Sequence, residues 1–86
     1  MNNNNKKNTS NNQKHPQELC LQIAFGKILR SCRLASSLTQ EGLAELANLH
    51  FTYVSSVERG ERNLSLLSMD KLARALQCSL KDLMPY

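Results

Sequence analysis

Residues 39–60 read Thr39-Gln-Glu-Gly-Leu-Ala-Glu-Leu-Ala-Asn-Leu-His-Phe-Thr-Tyr-Val-Ser-Ser-Val-Glu-Arg-Gly60, two short amphipathic segments separated by a tight break. Leu43, Ala44, Leu46 and Ala47 recur at helical spacing, with Thr39 placed as N-cap and Gln40 opening the first turn. Asn48 ends that helix, because Asn enters the left-handed conformation of a sharp reversal with less strain than most residues. A second helix follows Leu49, with His50 near its cap, and stops at Gly60.

At about 100° per residue, Val54 and Val57 set the inward direction of this second helix. Thr52 and Arg59 then point away from the core, and Ser55 and Ser56 lie beside them. Phe51 sits at the N-terminal edge, while Tyr53 and Glu58 flank the buried line. A merely solvated helix carries Lys and Glu pairs outward, whereas a face of small hydroxyls allows a macromolecule to approach closely. On these residues alone two readings stand: a helix-turn-helix that enters a DNA groove, or a short connecting helix with a plain surface.

Four separated stretches bear on the choice. They are Phe25-Gly-Lys-Ile-Leu-Arg-Ser-Cys-Arg33, Leu38-Thr-Gln-Glu-Gly-Leu-Ala44, Tyr53-Val-Ser-Ser-Val-Glu-Arg-Gly60 and Leu72-Ala-Arg-Ala-Leu-Gln-Cys-Ser-Leu-Lys-Asp-Leu83. In that order they resemble the first helix, the (S/T)QxxLA opening, the recognition helix and the last stretch of the Cro/cI-type (Xre-family) helix-turn-helix domain. Residues 25–84 are most similar to the small controller proteins of restriction-modification systems within that family. One such motif is weak, but four in the right order and spacing are specific. The resemblance implies an all-α, five-helix, lambda-repressor-like domain that binds double-stranded DNA as a homodimer on a two-fold operator. The function it implies is sequence-specific transcriptional regulation by occupancy, with repression by blocking RNA polymerase or activation by touching it. The alternative is an antitoxin or other protein-interaction module that keeps the helix-turn-helix as a scaffold; residues 17–24, outside the resemblance, are its best support.

Carried over residue by residue, the resemblance makes Arg33 and Glu58 a partly buried salt bridge that orients the recognition helix against the first helix. It puts Phe51, Thr52 and Ser56 at base edges, with Ser55 adjacent, and assigns phosphate contacts to Gln40, Arg59, Arg62 and Asn63. Many relatives have Arg or Gln where this chain has Phe51, a change that removes the bidentate donor suited to guanine. Two uses are open to Phe51: packing on a thymine methyl, or packing within the domain. Arg30 is another phosphate ligand, or a surface partner of Glu45 or of a neighbour. Gly42 stands where relatives commonly have Glu, so the Thr39 cap lacks its reciprocal side chain.

Around the motif, Pro16 suits a first helical turn, and Leu19, Ile23, Phe25, Ile28, Leu29 and Cys32 recur near helical spacing. They predict an extended first helix, with a break near Ala24 as one form of it, and Gly26 tolerated at a cost of about 1 kcal/mol. Beyond Gly60, Ser65 caps a fourth helix with Leu66, Met69, Leu72, Ala73 and Leu76 inward. Ser79 with Asp82 resembles a capping box that opens a fifth. Leu64, Leu67, Leu83, Met84 and Tyr86 form either the dimer interface, as the resemblance implies, or the closing layer of the monomer's own core.

The chain has 86 residues, enough for one small core, and residues 17–86 supply it. Residues 1–16, rich in Asn with interspersed Lys, have little to bury and are expected to be a disordered tail; a basic arm of Lys6, Lys7 and Lys14 reaching into a groove is the sharper alternative. Residues 1–36 carry six cations against Glu18, a net of +5, while five cations against six carboxylates leave a net of −1 from residue 37 onward. The positive potential that phosphates meet thus comes mainly from the N-terminal third, joined locally by Arg59 and Arg62. Cys20, Cys32 and Cys78 are odd in number, without metal-like spacing, and are read as reduced, semi-buried hydrophobes, a redox sensor being the alternative. His15 and His50 join no carboxylate cluster, so no metal, cofactor or enzymatic site is expected. No apolar run has the length of a bilayer span, and a cytoplasmic location with no membrane partner follows as an expectation.

Overall fold

A computed structural model describes the backbone of residues 16–86 and the side chains from Cys20 onward. Residues 1–15 of the expected tail, with its lysines and His15, and the side chain of Leu19 lie outside the described residues, whereas Pro16, the last residue of that expected tail, is described. The described residues form α1 (Pro16–Ala35), α2 (Gln40–Ala47), α3 (Phe51–Glu58), α4 (Leu66–Ala75) and α5 (Leu80–Leu83), with no strand among them. This is the all-helical architecture expected. Helix α1 begins at Pro16 and runs through Ala24 without a break, so the division near Ala24 is wrong. An intact backbone ladder spans the Gly26 position, and a contact with α3 described below gives that glycine its role.

Side-chain caps fix the ends of the short helices. Thr39 Oγ1 accepts the Gly42 N–H (2.9 Å) and Ser65 Oγ accepts the Ser68 N–H (3.0 Å). Asp82 reaches back to accept the Ser79 N–H at 3.0 Å. Between α2 and α3, Asn48 takes φ 56°, ψ 47°, the left-handed turn expected of it, while the Leu49 N–H donates to Ala44 O (2.9 Å). Ser37 (φ 59°) and Gln77 (φ 57°) end α1 and α4 in the same way. Neither residue type signals that conformation, and neither turn was anticipated.

The core gathers Phe25 and Leu29 of α1, Leu43, Ala44 and Ala47 of α2, Val54 and Val57 of α3, and Leu72, Ala73, Leu76 and Leu83 from the C-terminal helices. Each fully buried Leu or Val contributes roughly 1.5–3 kcal/mol by leaving water. Leu46 and Leu66, both expected inside, are 60% and 68% exposed. In each case the inward line falls on neighbours: Leu43 and Ala47 fill it in α2, and Met69, Leu72 and Ala73 fill it in α4. Leu83 is completely buried, so it closes the protomer's own core and cannot belong to an interface. Among the described residues, no helix is long and apolar enough to cross a membrane.

Candidate nucleic-acid interface

The C-terminal end of α3 is held by one carboxylate. Arg33 of α1 donates from Nε to Glu58 Oε2 (2.6 Å) and from Nη2 to Oε1 (3.0 Å), and its Nη1 donates to Leu38 O (2.9 Å). Gln40 of α2 donates from Nε2 to the same Oε1 at 3.0 Å. The two charged side chains are only 7% and 3% exposed, so this is the forked pair expected, and each guanidinium nitrogen donates at least one hydrogen bond. The hydrogen bond to Glu58, helped by its charge, holds the Arg33 guanidinium above its ordinary pKa and outweighs the opposing effect of burial. Arg30, with its side chain 60% exposed, has Nη1 3.9 Å from Glu58 Oε1; its carboxylate neighbour is Glu58, not Glu45.

Backbone contact reinforces the pair. A Cβ at Gly26 would lie 2.5 Å from Val57 O and 2.8 Å from Glu58 O, so only glycine lets α1 approach the last carbonyls of α3 this closely. Gly60, at φ 76°, lies against Ile23, whose Cγ1 would be 2.8 Å from an added Cβ. The N-terminal extension of α1 therefore finds a place over the exit of α3, which accounts for Ile23. Apolar spacing carried no hint of either glycine contact, because the absence of a side chain leaves no periodic mark.

The N-terminal end of α3 is open. Phe51 is 41% exposed, Thr52 is exposed and Ser55 is half-buried. Ser56, grouped with them by sequence, is only 6% exposed: its hydroxyl donates to Tyr53 O (2.8 Å) and accepts from Arg62 Nε (2.9 Å). Its place as a base reader is corrected to one that holds Arg62. The Arg62 guanidinium also lies over the Tyr53 ring, 5.3 Å from its centroid. Arg59, 55% exposed in its side chain, donates to Ser55 Oγ (2.6 Å) and to Glu61 (3.1 Å), and Asn63 is exposed. Gln40, expected at a phosphate, commits its side-chain amide to Glu58.

Away from α3, Leu66, Leu67 and Tyr86 are exposed by 68%, 64% and 93%, and Leu64 and Met84 are half-buried. Leu66 and Leu67 border a shallow apolar depression together with Asp70 and Leu80. Cys20 is exposed rather than semi-buried, while Cys32 and Cys78 are intermediate. Burial pushes the Cys78 thiol above its ordinary pKa, and Cys32 and Asp82 push it the same way, opposite to what a reactive sensor thiol needs. Among the described residues, no group of three His, Cys, Asp or Glu could hold a metal ion.

Residues 29–83 match the helix-turn-helix (HTH_3) family. The chain is 42% identical over 67 residues to the control protein C.BamHI of Bacillus amyloliquefaciens, covering 77% of this chain and 83% of that protein. It is 48% identical over 56 residues to the control protein C.SmaI of Serratia marcescens, covering 65% and 67%. Among solved structures it superposes on the restriction-modification controller protein C.AhdI from Aeromonas hydrophila with a TM-score of 0.72 and 46% identity, covering 73% of this chain and 96% of that one. With its five helices, its Asn48 turn and an α3 clamped at one end and open at the other, the chain belongs to the HTH_3, Xre-like family of DNA-binding transcriptional regulators.

Proposed function

We propose that this protein is a homodimeric, sequence-specific regulator of the restriction-modification controller type, which lays the open end of α3 in successive major grooves of a two-fold operator. The observation that carries the reading is the contrast along α3: Phe51 and Thr52 face solvent while the last turn is locked to α1 and α2. Phe51 and Thr52, with Ser55 beside them, read base edges. An exposed Phe51 in place of a long donor suits a thymine methyl, and its 41% exposure favours that use over packing within the domain. Arg59, Arg62 and Asn63 bind phosphates beside the exit of α3, and Gln40 contributes its main-chain N–H at the first turn of α2 rather than its amide side chain.

Leu64, Leu67, Met84 and Tyr86, joined by Leu66, form the contact between protomers, and the exposure of Leu66, Leu67 and Tyr86 supports a partner there. Regulation is by occupancy and involves no catalytic step, with RNA polymerase either blocked or contacted. The antitoxin reading loses support, since Ile23 of the extension already packs on Gly60 and the similar proteins are named as control proteins.

Gel-shift titration against the gene's own upstream DNA, repeated across salt, tests the proposal. A protected inverted repeat whose affinity falls steeply with salt is the expected result, and no protected repeat at low salt would overturn it. Leu67→Glu should turn the dimer into a monomer in sedimentation velocity and weaken operator binding with it.

A further inference from the structure

The cap of α3 is a histidine whose ring also touches the side chain proposed to read the operator. His50 Nδ1 accepts the Thr52 N–H at 3.3 Å, and the same nitrogen lies 2.9 Å from Thr52 Oγ1. Two donors can share this lone pair only if Nδ1 bears no proton. A proton on Nδ1 would make that nitrogen a donor and leave the Thr52 N–H, within the positive end of the helix, without its cap. The neutral ring with hydrogen on Nε2 is therefore the form compatible with the geometry. With Nδ1 as acceptor, the hydroxyl hydrogen of Thr52 must point at His50, since two lone pairs 2.9 Å apart would repel. What Thr52 turns outward is then oxygen lone pairs and a methyl group.

We propose that His50 is a specificity-setting positioning residue: by claiming the Thr52 hydroxyl hydrogen, it makes Thr52 an acceptor-only reader, selective for the exocyclic amine of adenine (N6) or cytosine (N4) in the major groove. A Thr with an unclaimed hydroxyl donates or accepts and tolerates either kind of base edge. This rests on Thr52 being a base reader, and the test separates the two ideas.

Fluorescence anisotropy is measured on the bound upstream repeat and on duplexes in which each base pair is replaced in turn. Wild type, His50→Ala, His50→Asp and Thr52→Val are compared, and thermal unfolding is followed for each. The wild type is expected to prefer an amine-bearing base at one position by about fivefold or more, the lower end of one good base contact. His50→Ala should lower that preference at least threefold at that position and leave the ratios elsewhere unchanged. His50→Asp supplies an acceptor-only cap and should restore the preference, even if its charge weakens binding to every duplex. An unchanged ratio in His50→Ala, an equal loss at every position, or a failure of His50→Asp to restore it would each overturn the assignment. Thr52→Val with full discrimination at every position would instead remove Thr52 as a reader, a separate result.

Discussion

The two ends of α3 differ in almost every physical respect. At its C-terminal end Glu58 accepts from Arg33 and Gln40, Ser56 bridges Tyr53 and Arg62, and the backbone touches Gly26 of α1. At its N-terminal end a single imidazole cap holds the first turn, and Phe51 and Thr52 stand in solvent. A helix that must read another molecule needs both conditions: the clamped end sets direction, and the free end offers chemistry without being committed to the fold.

Breaking the clamp should have the largest effect. Glu58→Ala strands Arg33 in a site where the pair is almost fully covered, and a loss of about 3–5 kcal/mol in denaturant unfolding is expected. The double change Arg33→Met with Glu58→Leu should recover much of that stability, because no charge is then left buried without a partner. Operator affinity should not recover with it if the pair's purpose is direction. Gly26→Ala comes next. Helix propensity would favour Ala by about 1 kcal/mol, but the atoms in the way are main-chain carbonyls at 2.5 and 2.8 Å. Overpacking of roughly 1–3 kcal/mol should prevail, read as a lowered unfolding midpoint.

Changes at the free end sharpen the comparison from the other side. Thr52→Ala should leave the unfolding midpoint nearly unchanged and remove about 1–3 kcal/mol of discrimination at one base pair, measured by competition between operator variants. Equal weakening on every sequence would show that the free end does not read. The smallest effect is expected from Arg62→Ala, which should weaken all sequences alike. With one fewer phosphate neutralised, the slope of log affinity against log salt should become shallower by about 0.9.

Legibility in the sequence followed the same division. Helix positions, the Thr39 and Ser65 caps, the Asn48 turn and the inward Val54 and Val57 were all readable, because periodicity and cap chemistry are local properties. The Arg33–Glu58 pair, 25 residues apart, became visible only through the family resemblance, since nothing local ties α1 to α3. Ser56 was misread because angular position alone puts it beside Thr52, whereas Arg62, six residues on, folds back and covers it. The unbroken α1, the exposed Leu46 and Leu66, and the buried Leu83 were decided by which neighbours filled the inward line first. Gly26 shows the deepest limit: its role is a distance between two backbones, which no side-chain pattern records.

That backbone contact also bears on how such a protein acquires new targets. Because main chain meets main chain at Gly26, the joint between α1 and α3 has no rotamer to adjust when residues at the far tip of α3 are exchanged. On the proposed reading, randomising Phe51, Thr52 and Ser55 would explore fresh operators on an unchanged chassis, and duplicated genes could diverge in recognition without first relearning how to fold.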